Sequence, residues 1–255
     1  MNGGIEMNKI DNLVQLLQKL NSGNITPELR QEALQMVQNV DPLELSLAEQ
    51  KLIETGTKPE DLRHLCDIHM EVLKDELDKL KVGLTPEHVL TTLIEEHDEI
   101  LKRLTKLEDL NTTLQKMETY DKSMVEFSEL LKVALELIGA EPHHKREEDV
   151  LFPELESRGV TGPRRVMRME HDMLRERKHK IKTLAEEVRN MNFIEFKSQL
   201  DEAAKYLIFN LRDHIYKENH ILYPSSVQTL QDLNLWDDMK KACDEIGYCS
   251  FTPGK

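Results

Sequence analysis

One pattern occurs twice in the sequence, and it constrains the fold more than any other feature. Residues 143–154 read HHKREEDVLFPE and residues 214–224 read HIYKENHILYP. In both copies a histidine is followed four residues later by a glutamate and, further on, by an apolar triplet and a proline. Because residues four apart lie on one face of an α-helix, each copy predicts a helix that directs an imidazole and a carboxylate toward one place.

The rest of the chain carries the start and stop signals of helices. In DPLE (41–44) an aspartate can cap the helix, a proline follows in the first turn, and a glutamate stands three residues after the cap. TPEL (26–29) and TPEH (85–88) repeat the proline start, and Gly56 and Gly83 stand where helices should end. No stretch alternates apolar and polar residues as a strand does. The sequence therefore predicts an all-α fold.

Apolar residues recur at helical spacing, and they predict shorter helices followed by much longer ones. The shorter helices are expected at about 7–21, 26–39, 41–55 and 59–81, the longer ones at about 86–118, 122–158, 163–190 and 193–226, and a last amphipathic helix at about 233–246. Long helices joined by short connections are typical of an antiparallel, up-down bundle. We therefore expect a small helical N-terminal domain (1–83), a four-helix bundle (84–230), and a C-terminal helix and tail that pack on the bundle (231–255). Pro142 and Pro153 should kink or interrupt the second long helix.

Charge and hydropathy exclude several classes of partner. The chain has 34 basic and 48 acidic residues and a net charge of −14, which repels phosphate backbones, so we expect no nucleic-acid partner. No apolar run approaches the roughly 18 residues of a membrane span. The start MNGGIEMNKI lacks the basic and apolar stretches of a signal peptide, which favours a cytoplasmic protein. Three cysteines are too few for a disulfide framework.

Each of the four long helices carries a histidine near its middle or inner half. These are His97 in EEHDE, His143 or His144 in the repeated pattern, His171 in MEHDM, and His214. Glutamates follow four residues later on two helices, as Glu147 or, in the shifted register, Glu148, and as Glu218. A single histidine would more often be a surface or hydrogen-bonded residue. Four imidazoles and two carboxylates together suit two iron ions bridged by the glutamates, in a bundle core that is a usual place for such a site.

The repeated pattern also resembles a known family. HHKREEDVLFP and HIYKENHILYP are similar to the paired HxxxEExxLFP and HxxxENxxLFP signatures of hemerythrin-like (HHE cation-binding) domains, and EEHDE and EHD resemble the first- and third-helix histidines of that family. The resemblance covers about residues 85–230. It implies an up-down four-helix bundle with a non-haem di-iron centre. Its implied metal ligands are His97, His143, Glu147, His171, His214 and Glu218.

One position departs from the pattern of the oxygen-carrying members. The resemblance implies a fifth histidine four residues after His171, but Arg175 stands there and cannot be a ligand. Water, His88, His144 or Glu118 are the alternatives that could fill the position. A more open iron favours sensing, redox chemistry or reactions with peroxide or nitric oxide over reversible oxygen storage.

The front third of the chain has a resemblance of its own. Residues 39–69 resemble a small helical domain of uncharacterised role that often precedes hemerythrin-like domains in prokaryotic proteins. Cys66 and His69 lie three residues apart on one helix face and could bind a metal or haem. Cys66 also falls in an apolar stripe with Leu65 and Ile68, so packing is the favoured interpretation.

The remaining polar residues near the pattern receive minor roles. Glu96, Glu170 and Asp213 are candidates, by proximity in sequence alone, for the carboxylates that usually accept from the second ring nitrogen of metal-bound histidines. His179 and His220 fall on other helix faces and are expected to be exposed. His88 is expected to have a structural role at the third position of its helix.

Two functions follow from these expectations. The first is a protein with two iron ions that binds or senses a small diatomic, O₂ or nitric oxide, or a redox state, with a possible protein partner at the N-terminal domain. The alternative is a di-iron enzyme that repairs iron–sulfur clusters or reduces nitric oxide or peroxide. Nothing in the sequence decides between them. Iron storage is disfavoured because ferritin-like sites place the glutamate before the histidine, as Glu-x-x-His.

Overall fold

The computed structural model describes the backbone of residues 3–21, 26–29, 31, 35, 40, 42–56 and 76–255. The predicted helices at 26–39 and 59–81 lie largely outside these ranges. The described residues form helices, turns and connections, and no strand occurs among them. The predicted all-α fold is confirmed. None of the helices in this part of the chain is both long enough and apolar enough to cross a bilayer.

From Val89 onward the described helices are separated by short connections. In chain order the described helices are α1 (Gly3–Asn21), α2 (Pro42–Glu54), α3 (Glu76–Gly83), α4 (Val89–Gln115), α5 (Val125–Ile138), α6 (Glu141–Arg146), α7 (Phe152–Glu156), α8 (Gly162–Glu187), α9 (Phe193–Lys217), α10 (Tyr223–Thr229) and α11 (Leu233–Ile246). In this part of the chain, π-helical turns interrupt the series at Glu147–Leu151, the first π-turn, and at Glu218–Leu222, the second π-turn. A 3₁₀ turn, Val188–Asn190, follows α8.

The chain divides into two compact units, each assembled from segments that are distant in sequence. The N-terminal unit takes Met1–Thr85, Leu151–Met167 and Tyr216–Asp238. The bundle unit takes the intervening segments, which are Pro86–Val150, Arg168–Ile215 and Met239–Lys255. The domain boundaries expected from the sequence remain a prediction.

Within the N-terminal unit, α1 packs against α2. Leu13 and Leu17 of α1, and Ala48 and Leu52 of α2, are buried, as amphipathic helices that cover one another require. Both α2 and α3 also pack against the second π-turn and against α10. The front helices are therefore held on the end of the second repeated pattern.

Within the bundle unit, four long helices share one apolar core. On α4 the buried Ile100, Leu104 and Leu107 recur at the spacing of a single helix face. The facing helices contribute the rest of the core, including Leu130, Leu137, Leu174, Ile181, Leu200 and Leu207. The predicted up-down four-helix bundle, preceded by a small helical region, is confirmed.

The second long helix, predicted at 122–158, is interrupted at Pro142 as expected. It stops at Ile138 and resumes at Glu141, since Pro142 has no N–H to donate and its ring would clash with the carbonyl four residues earlier. The first long helix starts later than predicted, and His88 caps it instead of lying inside it. The His88 Nδ1 atom accepts the Leu90 N–H at 3.1 Å. This structural role matches the expectation.

Both copies of the repeated pattern form a π-turn at the same place. Each π-turn begins at the motif glutamate and ends two residues before the motif proline, Pro153 or Pro224. A proline withholds the N–H that would bond four residues back and crowds that carbonyl, and a widened turn relieves the clash. The apolar triplet with its proline therefore sets the backbone at the glutamate. The predicted interruption at Pro153 is confirmed.

Truncation of the bundle core should be costly. Leu107→Ala removes a fully buried side chain and leaves a cavity, so we expect the free energy of unfolding to fall by about 2–5 kcal/mol. Val125→Ala, at a side chain that is 62% exposed, is the control and should change it by less than about 0.5 kcal/mol. Urea denaturation followed by circular dichroism measures both, and similar losses would contradict the assignment of the core.

Candidate metal centre

The residues predicted as metal ligands are buried, although they are polar. His97, His143, Glu147, His171, His214 and Glu218 are all 0–1% exposed. On α4 the histidine continues the apolar stripe, because it lies four residues after Leu93 and three before Ile100. Burial of so many ionisable groups is costly unless they are paired or bind a metal.

The donor atoms of these side chains converge. In the bundle unit, the Nε2 atoms of His171 and His214 lie 2.9 Å apart. The Oε2 atom of Glu147 lies 3.5 Å from the Nε2 atom of His143 and 3.5 Å from that of His171. The rings of His97 and His143 are 4.7 Å apart, centroid to centroid.

Two sets of donors are compact enough to hold a metal ion. In each set every ligand atom lies within 4.8 Å of every other, and the sets are His97, His143, Glu147 and Glu218, and His171, His214 and Glu218. Glu218 belongs to both sets. The structure thus brings all six predicted ligands together, with one carboxylate common to the two groups.

Carboxylates accept hydrogen bonds from the Nδ1 atoms of three of the histidines. The Nδ1 atom of His143 lies 2.8 Å from Glu96 Oε2, and the Nδ1 atom of His214 lies 2.7 Å from Glu170 Oε2. These contacts assign the ring proton to Nδ1, because a carboxylate only accepts. We call Glu96, Glu170 and Glu148 the outer carboxylates.

The third outer carboxylate, Glu148, accepts a hydrogen bond from His171. The His171 Nδ1 atom lies 2.7 Å from Glu148 Oε1, so here too the ring proton faces away from the centre. The Nε2 atoms of His171 and His214 therefore present two lone pairs to each other. Neutral rings in this tautomer cannot hydrogen-bond at that position, but a shared cation stabilises both lone pairs. His171 and His214 would therefore hold a metal ion through these two nitrogens.

Two of the outer carboxylates, Glu96 and Glu148, have pKa values below the usual range of a glutamate. Burial alone would raise the pKa of Glu96, but the hydrogen bonds from His143 and Thr252 and the charge of Arg146 outweigh it and bring the pKa to about 2. Burial likewise opposes ionisation of Glu148, whose pKa is nevertheless lowered by His171 and Arg175. Anionic acceptors make their imidazole partners more basic ligands. The donor set fits a metal of the kind that imidazole and carboxylate bind.

Comparison with known proteins agrees with this chemistry. The family described as the Hemerythrin HHE cation binding domain matches residues 88–225, more than half of the chain. The chain belongs to this family. A family described as being of unknown function (DUF438) matches residues 13–79. Both resemblances expected from the sequence are confirmed, while no curated protein matches the chain closely enough to count as a relative.

Arg175 stands where the oxygen-carrying members of the hemerythrin family have their further histidine. Its guanidinium contacts Glu141, Asp172 and Glu148, with Nη2 at 2.9 Å from Glu148 Oε1. The same Glu148 oxygen accepts from His171. Arg175 therefore holds an outer carboxylate in place and does not face the centre as a ligand.

His144 does not fill the position either. Its ring stacks on that of His171, with centroids 4.2 Å apart and planes 19° from parallel. The lone pair of an imidazole lies in the ring plane, so rings stacked in this way cannot both direct a lone pair to one metal ion. Burial, followed by the charge of Lys178, keeps the pKa of His144 well below its usual value, so the ring is neutral.

The other candidate residues belong to neither donor set. His88 caps α4, Glu118 is exposed, and His179 is exposed as predicted. His220 was predicted to be exposed but is half-buried and stacks on Tyr216 at 4.1 Å. It lies inside the second π-turn, where the wider turn shifts residues off the faces that a 3.6-residue period assigns. Cys66 and His69 lie outside the described residues.

Glu96 and Glu170, which their proximity in sequence made candidates for outer carboxylates, do accept from histidines, and in each case the histidine belongs to a different helix. Glu148 was considered only as a ligand in the shifted register. A signal was present for the first two, since a glutamate directly precedes the histidine in both EEHDE and MEHDM.

Loss of a predicted ligand should abolish much of the metal binding. We expect His143→Ala and Glu218→Ala each to weaken Fe²⁺ binding by at least about tenfold, because an outer partner alone is worth that much. Iron counting after anaerobic reconstitution and desalting measures the effect. His179→Ala, at an exposed histidine of α8, is the matched control and should retain the wild-type iron content. Equal losses in all three variants would refute the assignment of these ligands.

Proposed function

We propose that the chain is a cytoplasmic, non-haem di-iron protein that binds or senses O₂, nitric oxide or a redox change, and that its N-terminal helices respond to the state of the centre. The observation that carries this proposal is the packing of α2 and α3 on the second π-turn. That turn begins at Glu218, the carboxylate common to both donor sets. A shift of this carboxylate would therefore move the turn on which α2 and α3 pack.

Two iron ions are supported by the two donor sets. His97 and His143 would hold one ion, and His171 and His214 the other, with Glu147 and Glu218 as bridging carboxylates. Bound iron would supply redox chemistry and a place for a small molecule to bind.

Arg175 supports a centre that is not built for oxygen storage. Because its guanidinium is engaged by Glu141 and Glu148, this region of the bundle adds no further protein donor. Because His144 stacks on His171 and is neutral, it supplies a flat apolar wall beside that ligand. Both residues leave room at the second ion while keeping the His171 ring fixed.

The chain's own residues also provide a route for a response. When the bonding of Glu218 changes, its carboxylate shifts, and it lies at the first residue of a turn that is already widened. Widened turns can slide by one residue at lower cost than a regular helix, and they are frequent at functional sites. The helix that follows, α10, packs against α2 and α3 in the N-terminal unit.

The test is hydrogen exchange of the full chain loaded anaerobically with Fe²⁺, before and after one equivalent of nitric oxide per iron. We expect a stoichiometric optical change and altered exchange in α2 and α10. Leu52→Ala removes a fully buried side chain of α2 and should abolish the change in α2 while the iron content stays unchanged. Glu54→Ala, at an exposed position of the same helix, should behave as the wild type.

Other outcomes would contradict the sensing proposal. Repeated turnover of nitric oxide or peroxide in the presence of a reductant, with unchanged exchange in α2, would favour the di-iron enzyme. Transfer of iron to an apo iron–sulfur protein would favour the repair reaction. An optical change without any altered exchange in the N-terminal unit would remove the proposed role of the front helices.

A further inference from the structure

The C-terminal tail, residues 247–255, approaches the metal centre within the bundle unit. The Thr252 hydroxyl donates to Glu96 Oε1 at 2.5 Å, across 156 residues of sequence. We propose that Thr252 is a positioning residue of the metal centre, which orients Glu96 so that it holds the ligand His143.

Glu96 needs several donors because it is a carboxylate with no exposed surface. Its two oxygens offer about four acceptor positions. The Arg146 Nη2 atom lies 2.6 Å from Oε1 and 2.5 Å from Oε2, and His143 takes Oε2. The Thr252 hydroxyl donates the second hydrogen bond to Oε1. With Oε1 occupied on both sides, the carboxylate cannot rotate, and Oε2 stays directed at His143.

The tail itself is fixed by arginines of the bundle. Gly247 has a φ of 90°, which turns the chain back after α11. The Tyr248 ring lies 4.7 Å from the Arg146 guanidinium, and the Phe251 ring lies 4.0 Å from that of Arg103. Arg146 therefore contacts both the tail and Glu96, so docking of the tail and orientation of the carboxylate are one arrangement.

The inference rests on a metal bound through His143, but not on what the centre senses. The experiment uses the full chain with Co²⁺, and it measures affinity by competition with a chelator and coordination by the visible absorption bands. Thr252→Val keeps the shape but removes the donor, and we expect about tenfold weaker binding with shifted bands.

The controls separate positioning from tail docking. Thr252→Ser restores the hydroxyl and should restore both affinity and spectrum, and Ser250→Ala, at an exposed tail position, should match the wild type. Thermal unfolding of the apo-proteins reports docking alone. Wild-type affinity and spectrum in Thr252→Val, even with a lower melting temperature, would overturn the inference. So would equal losses in the Ser and Val variants. Failure of the wild type to bind Co²⁺ would instead refute the metal centre.

Discussion

The hydrogen bond from a histidine Nδ1 to a buried carboxylate is the interaction on which the centre depends. It occurs at His143, His171 and His214, and each time it turns the second ring nitrogen inward as an acceptor. Without it the rings could protonate either nitrogen and donate to one another. With it, the Nε2 atoms of His143 and His171 each lie 3.5 Å from Glu147 Oε2, and the Nε2 atoms of His171 and His214 lie 2.9 Å apart. Only a cation satisfies these acceptors together.

The same carboxylates connect the centre to the rest of the bundle. Glu96 ties His143 to Arg146 and to the C-terminal tail, and Glu148 ties His171 to Arg175. A family position that could have held another ligand is thus used to support an existing one. Further along each pattern the proline widens the helix at its glutamate. Within the N-terminal unit, α2 and α3 pack on the second of these turns. In the second pattern, the turn that orients Glu218 is also the turn on which α2 and α3 pack.

Much of this could be predicted from the sequence because it depends on local spacing. Helical periodicity predicted the bundle, and the four-residue spacing predicted that His143 with Glu147, and His214 with Glu218, would point together. Contacts between helices were beyond reach, because the partner of Glu96 depends on how α4 is rotated against α6. The role of Thr252 could not be predicted either, because its contact with Glu96 joins residues that are distant in sequence. The exposure of His220 was mispredicted because a π-turn breaks the period on which the prediction rests.

The central claim is that carboxylate-held imidazoles enclose two cations, and an anomalous difference map at the iron edge tests it most directly. Crystals of the full chain, loaded anaerobically with Fe²⁺, would be measured on both sides of the edge. The account predicts two peaks within the bundle, one contacted by His97 and His143 and the other by His171 and His214. A single peak, or peaks that these rings do not contact, would contradict it.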